Sequence, residues 1–366
     1  MTIAVTGCHR ELPSTFPLET PENSGNMIHG NAPFEMFDDC FSRHDGRWRI
    51  TGAKTFQEFV NRHCSHLIVT LANTFRLNTD DGTRFRRLHN SLLAIEKPIV
   101  VFGMGVQSIS DDLTAATLPA EAVDLMKFLG ERCALVGVRG EMTRQAFKHF
   151  AGVENTFVTG CPSLFSRPRQ VAEVTRTLNG GTTGQPAYCG TQLRRAEENR
   201  MLRRAIRAGA FLVEPVNKHN HRFYVDVTQN RSEPRVPYFL ADYESTDELR
   251  AYFASRYRLF RQVEPWYDFT RESVAFTYGT RFHVNMASVL AGKPALWVTH
   301  DARTRELAEF LHLPSIPMAD AAELEPYDVR EYLDYDEFFA HIGGLFDNFN
   351  EYLAINGLPE IERIAL

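Results

Sequence analysis

The chain is poor in the features that mark several functional classes. Its six cysteines, Cys8, Cys40, Cys64, Cys133, Cys161 and Cys189, stand far apart with no Cys-x-x-Cys pair. That spacing excludes a disulfide framework and suits reduced thiols in a cytoplasm, packed mostly as small core residues. No apolar run is long enough to cross a bilayer. Residues 1–7 read as a strand and lack a basic start followed by a long apolar segment, so no signal peptide is expected. There is no repeat at a solenoid period, no low-complexity block and no long run of one charge sign, which excludes extended scaffolds and disordered tails. Lys and Arg number 40 against 46 Asp and Glu, a net charge of -6, and are spread along the chain. A nucleic-acid surface is therefore not expected, whereas a local cationic pocket for a small anion is compatible with the totals.

What is present is a long alternation of strand-like and helix-like segments. With 366 residues the chain exceeds the usual size of one hydrophobic core, so two domains are expected. The first run comprises strands at 3–5, 66–71, 98–107, 133–138 and 156–160, with helices at 85–95, 113–129 and 142–150. Residues 168–186, which end in a polar stretch rich in glycine, read as a connector. The alternation restarts with a strand at 187–191, an Arg-rich helix at 193–208 whose charged face is taken as solvated, and a strand at 210–215. A polar, irregular segment follows at 217–237, where His219 and His221 lack a third metal ligand and read as an exposed loop. A helix at 246–262, a strand at 274–278, short helices at 284–291 and 300–310, and an apolar helix at 332–353 complete the chain.

This pattern predicts an α/β protein of two Rossmann-like domains facing a cleft, at 1–175 and 176–330, with a helical segment at 331–366 packing back on them. In such sheets ligands bind beyond the carboxyl ends of the strands, so residues there are the functional candidates. Arg281 and His283 follow the strand at 274–278 and open a helix, where free N–H groups add to the arginine's charge. Arg139 holds the matching place in the first half, although, taken by itself, an ion pair with a neighbouring acid explains it better. Gly103 and Gln107 lie in the exit of the strand at 98–107. Gly103 and Gly105 make only a weak phosphate-loop signal, and a tight bend accounts for them. Asn23 and Asn26 sit at a loop-to-helix junction, where capping competes with ligand contact. Asp301 suits an N-cap, and Arg303 and Arg305 can balance Glu306 and Glu309. No acidic or histidine cluster has metal-ligand spacing, so neither a metal nor a cofactor is expected.

Several spans together resemble the polysaccharide pyruvyltransferase family. They are Val-Arg-Gly-Glu-Met-Thr-Arg-Gln-Ala-Phe at 138–147, Val-Thr-Gly-Cys-Pro-Ser-Leu-Phe at 158–165 and Gly-Thr-Arg-Phe-His at 279–283. Ala-Gly-Lys-Pro at 291–294, His-Asp-Ala-Arg-Thr-Arg-Glu-Leu at 300–307, Asn-Ser-Gly-Asn at 23–26 and residues 100–107 extend the likeness. The resemblance implies a GT-B-like architecture and transfer of pyruvate from phosphoenolpyruvate onto two hydroxyls of a sugar as a ketal, in exopolysaccharide or cell-surface glycan synthesis. It further implies Arg139, Arg281 and Phe282 at the donor, and His283 as the general acid. The sugar acceptor would be nucleotide- or lipid-linked, and peripheral membrane association fits such an acceptor. Two alternatives remain at this point: a GT-B glycosyltransferase with a nucleotide-sugar donor, for which Glu214 is the candidate ribose carboxylate, and a catalytically silent glycan-binding homologue.

Overall fold

The computed structural model describes residues 1–20, 22–107, 113–181 and 183–365. Its strands are β1 (Ile3–Gly7), β2 (Cys40–Ser42), β3 (His66–Thr70), β4 (Phe75–Arg76), β5 (Ile99–Phe102), β6 (Val106–Gln107), β7 (Val136–Val138), β8 (Thr156–Val158), β9 (Gln185–Cys189), β10 (Phe211–Val213), β11 (Tyr257–Arg258), β12 (Val274–Gly279), β13 (Ala295–Thr299) and β14 (Ser315–Pro317). The first sheet is parallel, in the order β2-β1-β3-β5. A parallel bridge from Met104 to Val138 carries it on towards the β7-β8 pair. The second sheet is parallel throughout, in the order β11-β10-β9-β12-β13-β14. Counted within that half, this is the doubly wound order 3-2-1-4-5-6, and its switch point falls between β9 and β12.

Burial explains the apolar runs. Every residue of β3, β5 and β12 is buried, as expected of parallel strands covered by helices on both faces. Helix Phe282–Val289, the short helix expected at 284–291, is likewise buried in all eight residues. Helix Gly25–Met36 is buried from Gly25 to Pro33 apart from Asn26. These two helices therefore work as internal struts, and their amino ends meet: a Cβ placed on Gly25 would lie 3.3 Å from the Cβ of His283.

Several boundaries differ from the expectation. Residues 168–180 of the expected connector form a helix, Pro168–Gly180, started by its proline and anchored by buried Val171 and Val174; Thr182 lies outside the described residues. The helix expected at 113–129 is Ala120–Arg132, preceded by the extended backbone of Pro119. The irregular segment contains helix Lys218–Thr228, capped by Asn217, and His221 is buried against Tyr224 and Tyr257 instead of lying in an exposed loop. The helix expected at 246–262 stops at Arg256, where β11 begins, and a further helix, Val263–Ser273, precedes β12.

The last helix, Asp336–Ile355, ties the two sheets together. Its buried residues Phe338, Ile342, Leu345, Phe346, Phe349, Tyr352 and Leu353 recur at helical spacing along one stripe. Just before it, the Tyr335 hydroxyl donates to Ala295 O of β13 at 2.9 Å and accepts from Ala295 N at 2.8 Å. At its far end the Tyr352 hydroxyl donates to Val101 O of β5 at 2.6 Å. Phe349 lies parallel to Phe165 with ring centroids 4.5 Å apart and edge-on to Phe102. Phe349→Ala is expected to lower unfolding free energy by about 3–5 kcal/mol in urea titration, the usual cost of emptying a buried phenylalanine site. A loss below about 1 kcal/mol would show that the helix does not anchor on the first sheet.

Candidate functional site

Between the carboxyl edges of the two sheets lies a cleft of about 1270 Å³. Of the residues singled out in the sequence, Asn23, Asn26, Gln107, Arg139, Arg281, Phe282, His283, Asp301 and Arg303 all line it. Gly103 does not. It lies beneath the floor with a positive φ of 58°, where a Cβ would collide with Pro162. The turn it makes aims the Gly103 carbonyl at Arg139 Nε, 2.6 Å away.

Arg139 is 1% exposed. Besides Gly103 O it donates through Nη1 to Asn73 Oδ1 at 2.9 Å, and Nη2 faces His283 Nε2 at 3.4 Å. No carboxylate pairs with it among the described residues, so the structural ion pair considered for it is absent. A buried guanidinium held only by neutral acceptors is costly unless an anion completes its shell. Across the cleft, Arg281 is held by its neighbours' carbonyls, Nε to Gly190 O at 2.8 Å and Nη2 to Thr191 O at 3.2 Å. It, too, lacks an acidic partner among the described residues. Both carbonyls follow β9 and Arg281 follows β12, which places the residue at the switch point of the second sheet. Gly279 makes this approach possible: its φ is 137°, and an added Cβ would strike Cys189 O of the adjacent strand.

Glu198 sets this loop, and it was read as part of a solvated face. It is 1% exposed and accepts from Thr191 N at 2.9 Å, from Gln192 N and from the Thr280 hydroxyl. Its burial was readable: Glu198, Met201, Leu202, Ala205 and Ile206 form one buried stripe of helix Ala196–Arg207. Arg303 pairs with Asp301 at 3.1 Å, not with the glutamates expected for it. Asp301 caps its helix as expected, accepting from Thr304 N at 2.8 Å. Burial would raise the Asp301 carboxyl, but Arg303, His300 and Thr304 outweigh it and hold the group below its ordinary range. Glu214 lies away from the cleft lining. Its oxygens accept from Val216 N, Asn217 N and Asn220 Nδ2 at 2.8–3.0 Å, so it does not serve as a ribose ligand.

His283 is 8% exposed, and its ring is stacked against His29 with centroids 5.7 Å apart. Cys161 Sγ lies 3.5 Å from His283 Nε2 and 3.9 Å from His29 Nδ1. His29 had no site signal in the sequence, and Cys161 had one only as part of the Gly-Cys-Pro-Ser span. Although His29, Cys161 and His283 are close enough to share a metal ion, the Arg139 guanidinium occupies the direction of His283 Nε2 and opposes a cation there. A second trio, His312, Glu337 and His341, lies elsewhere, with His312 half-buried and the other two exposed. Burial, followed by the charge of Arg139, drives both His29 and His283 well below the ordinary imidazole value of 6.5, so both are neutral at pH 7. Arginine can only donate, so Nε2 of neutral His283 is the bare nitrogen and Nδ1 carries the proton.

The unfolded chain takes up protons at these histidines near pH 6.5 while the folded chain resists them. Their contribution to stability is therefore complete above pH 6.5 and lost as pH falls below it. The urea midpoint should drop between pH 7 and pH 5, with a shallower drop in His29→Asn. An unchanged slope in that variant would rule out His29 as a source of the dependence.

Structures with similar overall arrangement include a UDP-N-acetylglucosamine 2-epimerase from Methanocaldococcus jannaschii, 8% identical, with TM-score 0.42 and coverage of 90% of this chain and 92% of that one. A second, from Listeria monocytogenes, is described as a putative UDP-N-acetylglucosamine 2-epimerase; it is 11% identical with TM-score 0.45, each chain covered in full. HepE of Anabaena, determined in complex with UDP, is 12% identical with TM-score 0.42 and 98% coverage of both chains. A search of curated protein sequences finds no match. The profile of one sequence family matches residues 28–302, which span both sheets and carry Arg139, Arg281 and His283: the chain belongs to the polysaccharide pyruvyl transferase family.

Proposed function

We propose that the protein transfers the enolpyruvyl group of phosphoenolpyruvate to two hydroxyls of one sugar, forming a pyruvate ketal and releasing phosphate. The observation that carries this reading is the pair of arginines, Arg139 and Arg281, that line one cleft without an acidic partner among the described residues, with His283 Nε2 3.4 Å from Arg139. A donor with a carboxylate and a phosphate on three carbons matches two fixed cations. The N–H groups of Phe282 and His283 open their helix without a partner among the described residues and add donors for either anion.

In the reaction a proton is added to the donor's methylene carbon and the electron pair of the C=C bond forms the new C–H bond. The carbon left electron-deficient is attacked by the first sugar hydroxyl, which loses its proton. The C–O bond to phosphate then breaks with its electron pair leaving on phosphate, and the second hydroxyl takes its place, giving up its proton to the departing phosphate. His283 is the proton donor in this scheme. Its Nε2 faces Arg139, and burial with that charge keeps the ring neutral at pH 7. An anion that draws the Arg139 guanidinium onto itself frees Nε2 and reverses the local charge, which raises the imidazole's affinity for a proton. The acid is thereby armed by its substrate. Phe282, whose carbonyl accepts from Trp297 Nε1 at 3.3 Å, forms the wall beside it.

The cleft holds more positive charge than the donor needs. Arg76, Arg84 and Arg195 line it as well, against Glu22 and Asp301 as the acids among the described residues. The surplus favours an acceptor linked to phosphate, either a nucleotide- or a lipid-linked sugar met in the cytoplasm. A lipid carrier would bring the enzyme to the membrane peripherally, and among the described residues no helix is long and apolar enough to cross one.

Phosphate release and the ketal methyl signal in NMR, with phosphoenolpyruvate and a panel of phosphate-linked sugars, test the reaction. His283→Ala should lower kcat by at least about 100-fold with donor affinity little changed, as removal of a general acid does. Arg139→Lys should weaken donor binding about tenfold or more by losing the planar fork. Saturable binding of a nucleotide sugar with no response to phosphoenolpyruvate would overturn the reading.

A further inference from the structure

A second cavity adjoins the cleft at His9. His9 lines both spaces, and beyond it about 810 Å³ lies between the loops that follow β1 and β2 and residues 262–265. The order of the first sheet places this cavity at its β1-β2 end, whereas Arg139 follows β7 near the other. A ligand running from one to the other would lie along the carboxyl edge of the sheet.

The two spaces differ in charge. Among the described residues six arginines and two carboxylates line the cleft, whereas the second cavity has Arg10 against Glu11, Glu35, Asp45 and Glu264. Two of these acids are balanced by cations that do not line the cavity, Arg47 at 3.2 Å from Asp45 and Arg167 at 3.8 Å from Glu35. Arg10 is itself engaged, donating to Asn31 Oδ1 at 3.0 Å and lying over the Phe34 ring. The wall thus offers no spare cation to a phosphate. It offers carboxylate and amide groups already joined in pairs, Asn31 Nδ2 donating to Glu35 Oε1 at 2.8 Å and Gln262 Nε2 to Glu11 Oε1 at 2.9 Å, whose remaining lone pairs stand beside the stacked rings of His9 and His44, with centroids 3.8 Å apart. Carboxylates and amides match hydroxyl groups, and ring faces match the C–H faces of a pyranose.

We infer that this cavity is a subsite for neutral sugar units adjoining the one that is modified, so that the acceptor is an oligosaccharide. Its phosphate linkage belongs in the arginine-lined cleft and its uncharged extension beyond His9. The placement of the modified unit rests on the pyruvyl-transfer reading; the neutral-sugar subsite itself does not.

Saturation-transfer NMR on the full chain tests the assignment with lactose, cellobiose and N-acetyllactosamine, each beside its component monosaccharides. The variants are His44→Ala, which removes one ring of the stack, and Gln262→Trp, which fills the cavity from its rim; matching urea midpoints confirm folding. At least one disaccharide should bind the wild-type chain more tightly than its monosaccharides and lose about tenfold in affinity in both variants, the scale of one ring contact with its hydrogen bonds. Equal disaccharide binding by Gln262→Trp, or no preference for any disaccharide over its monosaccharides, overturns the subsite. A parallel phosphoenolpyruvate titration separates the two ideas. If disaccharide binding behaves as expected while phosphoenolpyruvate fails to bind, the donor reading falls and the subsite stands.

Discussion

A guanidinium buried without a carboxylate partner among the described residues is the constraint on which the rest of this structure depends. Isolating such a charge costs several kcal/mol even after local relaxation, and the chain offsets part of that cost with carbonyl oxygens at fixed positions. One comes from the left-handed turn at Gly103 and another from the Asn73 side chain beyond β3. The remaining direction is given to a ring nitrogen from the other half of the molecule. Strand ends, a glycine and an inter-sheet contact are thus all tied to one side chain. The second sheet repeats the device, with Arg281 held by the carbonyls after β9 and that loop held in turn by Glu198.

This arrangement also explains how an acidic protein carries a strongly cationic cleft. Carboxylates near the site are turned to internal work: Glu198 shapes a loop, Glu214 secures the start of a helix, and Asp301 caps another while holding Arg303. Net charge averages over such assignments, and the total of -6 gives no hint of a cleft with six arginines.

Much of the site was legible because it stands at strand ends, and strand ends are marked by glycine and by the change from period two to helical period. That is why Arg139, Arg281 and His283 could be read directly. What escaped the reading depends on distant pieces of chain. His29 reaches the site through a helix buried on nearly every face, so it shows no polar stripe, and Asn73 sits in a loop without a pattern. Short strands such as β2 and β11 carry too few residues for periodicity to register. Helix Pro168–Gly180 hid because its polar residues and terminal glycines look like a connector, whereas its burial rests on two valines alone.

The path of the final helix bears on the order in which the molecule can assemble. Val101, Phe102 and Phe165 complete their packing against Tyr352 and Phe349, with Tyr352 251 residues beyond Val101. Synthesis from the amino terminus releases the first sheet well before this covering helix emerges. Until then one of its faces stays open to water or to a chaperone, and the late arrival of helix Asp336–Ile355 is the step that closes it.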